Sequence, residues 1–259
     1  MSREMDAGTQ KKIAIVTGGS RGIGRSTVES LARRGVSTIF TYHTHVTDAE
    51  AVIATAKDAG AEAIALQLDA GNIASFGAFV ERVKDALAKL GALRFDFLVN
   101  NAGNSHRNMP FETATEEELD SIYNVHFKGV FFLTQKLRPL INDGGRIVNV
   151  STARTRMIGP GGSIYALMKG ALEVLSKHMA KEFGPRRIAV NVVAPGATET
   201  DFSGGIVRDN PAVNKRVAEG TALGRAGIPD DVGRMIASLL SEDNRWVNAE
   251  RIEVTGGYV

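Results

Sequence analysis

Seven short apolar runs, rich in β-branched residues, recur along the chain with helix-like stretches between them. They are Ile13 to Val16, Val36 to Tyr42, Ala63 to Leu68, Phe97 to Asn100, Arg146 to Val150, Ala189 to Val193 and Arg251 to Val254. Their apolar character is nearly continuous instead of alternating, which marks strands covered on both faces. Strands that alternate with helices in this way predict an α/β fold: a doubly wound, seven-stranded parallel sheet with helices on both faces. The chain has 259 residues and no linker-like break, so a single domain is expected over residues 11–259. The polar start, residues 1–10, reads as a flexible segment, and residues 196–227, rich in Gly, Asp and Asn, read as a long mobile substrate loop.

Helix boundaries follow from capping chemistry. Thr47 with Glu50 and Thr115 with Glu118 fit capping boxes, Asn72 is placed to cap a helix, and Pro229 suits a first turn before Asp230 and Asp231. Gly35, Gly60 and Gly91 mark helix ends. Between Ser163 and Phe183, the residues Met168, Leu172, Leu175, Met179 and Phe183 form one apolar stripe that should pack on the sheet.

Two local patterns carry chemistry. Directly after the first run stands Thr17-Gly18-Gly19-Ser20-Arg21-Gly22-Ile23-Gly24, ahead of a helix expected to begin near Gly24. A glycine turn in that setting offers backbone N–H groups and a helix N-terminus to a pyrophosphate, so Gly18, Ser20, Arg21, Gly22, Ile23 and Gly24 are candidate dinucleotide contacts. The second run ends Thr41-Tyr42-His43-Thr44 with no carboxylate to meet a ribose diol. Arg21 can bond a 2′-phosphate there, with Tyr42, His43 and Thr44 nearby, which favours NADP(H) over NAD(H); Arg21 also reads as a solvated surface arginine. Asp69, closing the third run, is a candidate for the adenine edge or a turn residue. Far downstream, Tyr165 and Lys169 lie four apart on one helix face, where the ammonium can favour the ionised phenol.

Composition narrows the alternatives. With 31 Lys+Arg against 29 Asp+Glu, the scattered charges give no nucleic-acid footprint. No run of about 18 apolar residues is available to cross a membrane, and Arg3, Glu4 and Asp6 break any signal peptide, so the cytoplasm is the expected location. The absence of cysteine excludes disulfides, thiolate metal sites and a cysteine nucleophile. His43, His45, His106, His126 and His178 lack the spacing of a metal motif, so no metal centre is expected.

The glycine turn, Asn100-Asn101-Ala102-Gly103, Tyr165-x-x-x-Lys169 and Pro195-Gly196, in this order, resemble the short-chain dehydrogenase/reductase family. The likeness runs from about Lys11 to the C-terminus and implies a Rossmann-type fold and an NADP(H)-dependent carbonyl reductase similar to 3-oxoacyl-carrier-protein reductases. It implies that Tyr165 is the general acid or base, that Lys169 lowers its pKa and bonds the nicotinamide ribose, and that Thr152 polarises the substrate oxygen. Thr152 stands where the family commonly has serine. Ser151 would serve only if the strand register shifted. His126 stands in the place of the family's helix-kinking asparagine, whose carbonyl holds a relay water; it either keeps that relay and adds a group titrating near neutrality, or simply packs in the core. Asn101, Ala102 and Gly103 are implied on the adenine-ribose side, with Pro195, Gly196, Thr198 and Thr200 at the nicotinamide. A homodimer or homotetramer is implied as well, pairing through helices that present Phe131, Phe132, Ala171 and Val174. Arg154 and Arg156 either meet an anionic substrate or face solvent. An NAD-dependent alcohol or sugar dehydrogenase, and a weakly catalytic nucleotide-binding sensor or scaffold, are the competing readings.

Overall fold

The computed structural model of the protein describes residues 11–105 and 109–258. The expectation of a flexible segment over residues 1–10 and the histidine at position 106 lie outside the described residues. The first half of the chain runs β1 (Ile13–Val16), α1 (Gly22–Ala32), β2 (Ser37–Tyr42), α2 (Val46–Asp58), β3 (Ala63–Gln67), α3 (Phe76–Lys89) and β4 (Phe95–Asn100). Then come α4 (Glu116–Tyr123), a π-helical turn over Asn124–Lys128, α5 (Gly129–Leu137), β5 (Ile141–Val150) and the long α6 (Ser163–Phe183). The chain closes with β6 (Ala189–Pro195), α7 (Ile206–Asp209), α8 (Pro211–Glu219), α9 (Pro229–Leu239) and β7 (Arg251–Val254).

All seven strands join one parallel sheet in the order β3-β2-β1-β4-β5-β6-β7. Neighbouring residues along a strand point to opposite faces, and β1 shows how this divides the core. Ile13 and Ile15 enter a cluster with Phe76, Phe79 and Leu87 of α3, Leu133 and Leu137 of α5, and Met179 and Phe183 of α6. Ala14 and Val16 face the opposite cluster, with Val28 and Leu31 of α1, Val52 of α2, and Val232 and Ile236 of α9. The doubly wound prediction therefore describes the molecule. Among the described residues, no helix is long and apolar enough to cross a membrane.

Several local expectations change. Helix α2 begins at Val46, with His45 at its N-cap and no side-chain cap, so the Thr47–Glu50 box does not form. Asn72 precedes a short 3-10 turn, not a helix, and its side chain makes no cap. Thr115 and Glu118 do form the reciprocal box. The segment 196–227 is not an open loop: Asn210 caps α8 by accepting from Ala212 and Val213 N–H, and Pro211 occupies its first position.

Candidate active site

Parallel sheets bind ligands beyond the carboxyl ends of their strands, where the winding reverses. Here the reversal lies between β1 and β4. Thr17 knits those ends together: its hydroxyl accepts from Asn101 N at 2.9 Å and Ala102 N at 3.0 Å. The chain then coils so tightly that a Cβ on Gly24 would fall 2.0 Å from Gly18 O. Gly18 itself has φ +64°, and a Cβ there would sit 2.9 Å from Ala102 Cα. Arg21 occupies the N-cap of α1 in extended geometry without a side-chain cap, so the first N–H groups of the helix remain available to an anion. Ser20 is buried within the coil and Ile23 packs against the core beneath it. This cradle, with its missing Cβ atoms, fits the pyrophosphate of a dinucleotide.

The surrounding candidates sort by where their side chains point. Arg21 Nη1 lies 3.4 Å from His45 Nε2, the N-cap of α2, and 3.9 Å from Asp201 Oδ2; the sequence reading does not include His45 at this end. His43 and Thr44 are exposed there, and Tyr42 packs partly into the core. Asp69 Oδ1 accepts from Gly71 N at 2.9 Å, as a turn residue does. Asn101 does not present its amide to the cleft; it donates to Thr17 O and Gly18 O and so braces the glycine coil. Gly103 leaves room for the His126 ring, which a Cβ would meet at 2.7 Å. Across the cleft, Gly196 N bonds Val254 O, Thr198 Oγ1 donates to Gly196 O, and Thr200 reaches back to Gly22. Pro195 ends β6 beneath them.

The other end of the cleft is assembled by side chains. Tyr165 and Lys169 share one face of α6, with Lys169 Nζ 5.9 Å from the phenol ring centre. Lys169 is buried and donates to Val150 O at 2.6 Å. Burial lowers its pKa to about 7, and the Glu173 carboxylate opposes that fall. Tyr165 goes the opposite way from the sequence expectation. Burial pushes its phenol up to about 12, and the groups drawing it down are the Thr152 hydroxyl and the Arg154 guanidinium, not Lys169. Thr152, not Ser151, reaches the phenol; Ser151 Oγ is turned away and donates to Glu173 Oε1 at 2.6 Å. That is the outcome the unshifted strand register requires.

His126 lies within the π-helical turn, a one-residue widening that recurs at functional sites. Its ring meets Tyr165 edge-on at 5.2 Å between centres, and Nε2 stands 2.7 Å from Asn104 O. Burial first, and the Lys169 charge second, lower its pKa to about 3, so it is a neutral imidazole and not a group titrating near neutrality. A buried polar chain runs below: Asn100 Nδ2 donates to Asn149 Oδ1 at 2.8 Å, Asn149 Nδ2 to Ser176 Oγ at 2.8 Å, and Ser176 Oγ to Leu172 O at 2.7 Å. It fixes α6 against β4 and β5. Above the phenol, Phe202 packs on the Tyr165 ring at 5.7 Å. Its segment carries Ser203 at φ +54° and is held down by a 2.8 Å contact between Ser203 Oγ and Ser105 Oγ. Arg154 lines a cavity of about 310 Å3 with Phe111, Met157 and Ile158.

The motifs thus converge on one cleft, with the glycine coil at one end and the Tyr165 phenol at the other. A family model described as enoyl-(acyl carrier protein) reductase matches residues 18–259. An uncharacterized oxidoreductase of Methylorubrum extorquens is 37% identical over 248 residues, which cover 95% of this chain and 97% of the relative. A solved short-chain dehydrogenase/reductase from Serratia marcescens is 32% identical, with a TM-score of 0.87 over 96% of this chain and 98% of that one. The chain belongs to the short-chain dehydrogenase/reductase family. It is an oxidoreductase. The angucycline C-6 ketoreductase LanV, crystallised with NADP, superposes at a TM-score of 0.90 with 34% identity, covering 95% of each chain.

Proposed function

We propose that this oxidoreductase is an NADP(H)-dependent reductase of small ketones or aldehydes, with Tyr165 as the general acid. One observation carries the reading: the Tyr165 phenol stands beside the Thr152 hydroxyl, with the buried Lys169 ammonium 5.9 Å from its ring centre on the same helix face. A phenol that carries its proton at neutral pH can deliver it to a carbonyl oxygen that becomes an alkoxide, and takes it back in the reverse direction. The hydride comes from the nicotinamide ring when NADPH is bound. Thr152 donates to the substrate oxygen and aligns it with the Tyr165 proton, so that the developing charge meets preplaced donors. Lys169, fixed by Val150 O, stands behind the phenol as the cationic neighbour and the ribose partner.

His126 acts as a neutral wall that holds the Tyr165 ring, and its π-turn keeps the backbone open where a helix would close it. Gly18, Ser20, Arg21, Gly22, Ile23 and Gly24 cradle the phosphates, with Arg21 and its basic neighbour His45 meeting the 2′-phosphate. Pro195, Gly196, Thr198 and Thr200 form the nicotinamide wall. The NADP-bound ketoreductase LanV supports the choice of cofactor and of a ketone substrate. Two copies of the chain would pair through α5 and α6, which leave Phe131, Leu167 and Val174 exposed. Substituting Tyr165→Phe tests the reading: ketone reduction should disappear while NADPH still binds, as followed by its fluorescence. Full turnover in that variant would remove Tyr165 from the mechanism.

A further inference from the structure

The face of α6 that carries Tyr165 and Lys169 continues one turn further, to Glu173. This carboxylate is largely enclosed. Its Oε1 accepts from Ser151 Oγ at 2.6 Å and from Thr155 Oγ1 at 2.9 Å, and Arg251 Nε stands 2.8 Å from the same atom. The side chains are 7% exposed for Arg251 and 17% for Glu173. Arg251 belongs to β7, the edge strand of the sheet, yet its Nη2 donates to Thr152 O at 3.0 Å and to Thr155 Oγ1 at 2.9 Å. Its Nη1 pairs with Glu253, which also holds Arg156. The turn carrying Thr152 is therefore gripped on both sides of that residue and at its own carbonyl by a single ion pair.

We propose that Glu173 and Arg251 form a positioning unit for the reduction, fixing the turn from Ser151 to Thr155 and, through it, the Thr152 hydroxyl against the Tyr165 phenol. The inference rests on the roles given above to Thr152 and Tyr165. An ion pair this enclosed adds little net stability, because desolvating the two charges offsets their attraction, whereas removal of one partner leaves the other stranded. What it supplies is placement, and misplacement by about 1 Å of a group that orients substrate lowers turnover by as much as 100-fold. Neither residue reaches the glycine coil, so the cofactor end should not register the loss.

The experiment compares Glu173→Gln, Arg251→Lys, Arg251→Met and the double variant Glu173→Gln/Arg251→Met in the full chain, reading kcat for a ketone such as 1-tetralone together with NADPH affinity by fluorescence. Glu173→Gln and Arg251→Met should each lower kcat at least about tenfold with the NADPH Kd within about twofold of wild type. Arg251→Lys should recover part of the loss, and the double variant should be no worse than the poorer single one, because the two residues act as a unit. Unchanged kcat in folded Glu173→Gln, multiplying losses in the double variant, or kcat and NADPH binding falling together would overturn the positioning role. Should Arg251→Met fail to fold, the near-isosteric Glu173→Gln and the conservative Arg251→Lys decide the matter. A wild-type protein that reduces no ketone overturns the reductase reading and this unit with it, whereas an active wild type with unaltered variants overturns the unit alone.

Discussion

The two ends of the cleft are built from different materials. The cofactor end is backbone: a coil in which Gly24 presses on Gly18 O, an uncapped helix start, and Asn101 spent on bracing carbonyls. The end proposed to be catalytic is side chain: Tyr165 against Thr152, His126 and Phe202, with Lys169 buried behind. Backbone architecture tolerates almost no substitution, because an added Cβ has nowhere to go. Side-chain architecture accepts exchanges that keep shape and hydrogen bonding.

That contrast can be broken most forcefully at its two extremes. Tyr165→Phe should lower kcat by about 10²–10⁴-fold with NADPH affinity intact, whereas Gly24→Val should abolish NADPH binding, since the new side chain would overlap Gly18 O. If Tyr165→Phe weakened NADPH binding as strongly as turnover, the division into two ends would be wrong. Next in size, Arg21→Ala should raise the KM for NADPH by about 10–100-fold, the worth of a charge-assisted contact, and leave that for NADH nearly unchanged. A parallel rise for both cofactors would return Arg21 to the role of a solvated surface group.

Smaller effects sharpen the account of the buried charges. Lys169 has a pKa of about 7, so kcat/KM for reduction should decline as pH rises past that value, when the ammonium beside the phenol is lost; a flat profile from pH 6 to 9 would argue against it. His126 works on stability. The unfolded chain takes up a proton at this position below about 6.5 while the folded chain refuses it down to about 3, so the unfolded state binds more protons in that window and stability falls on acidification. His126→Asn should flatten that acid limb in urea titrations run across pH 3 to 6.5, and an unchanged limb would mean the ring is not neutral in the folded protein.

The elements are more legible in the sequence than the contacts between them. β1 spans the residues its apolar run predicts, the glycine turn falls where the alternation requires it, and α6 runs from Ser163 to Phe183 as its stripe indicates. These features depend on neighbours along the chain. Helices α7 and α8 are hidden in the sequence because Gly204, Gly205 and the surrounding charges read as a polar loop, although Asn210-Pro211 is itself a helix-start signal. The direction of the Tyr165 shift is illegible for a different reason: helical spacing shows that Lys169 is near, but not that burial outweighs it. Phe202 over Tyr165, Arg251 beneath Thr152 and the Asn100–Asn149 contact join residues from distant segments, and no periodicity within one element announces them.

The amide chain from Asn100 through Asn149 to Ser176 bears on how the molecule comes apart. Separating β4 from β5, or lifting α6 away, would strand paired dipoles in a dry interior, each at a cost of about 1–3 kcal/mol. Melting of the catalytic half alone is thereby penalised, and denaturation should proceed as one concerted event across the sheet, with loss of the phosphate cradle and loss of the acid sharing a single midpoint.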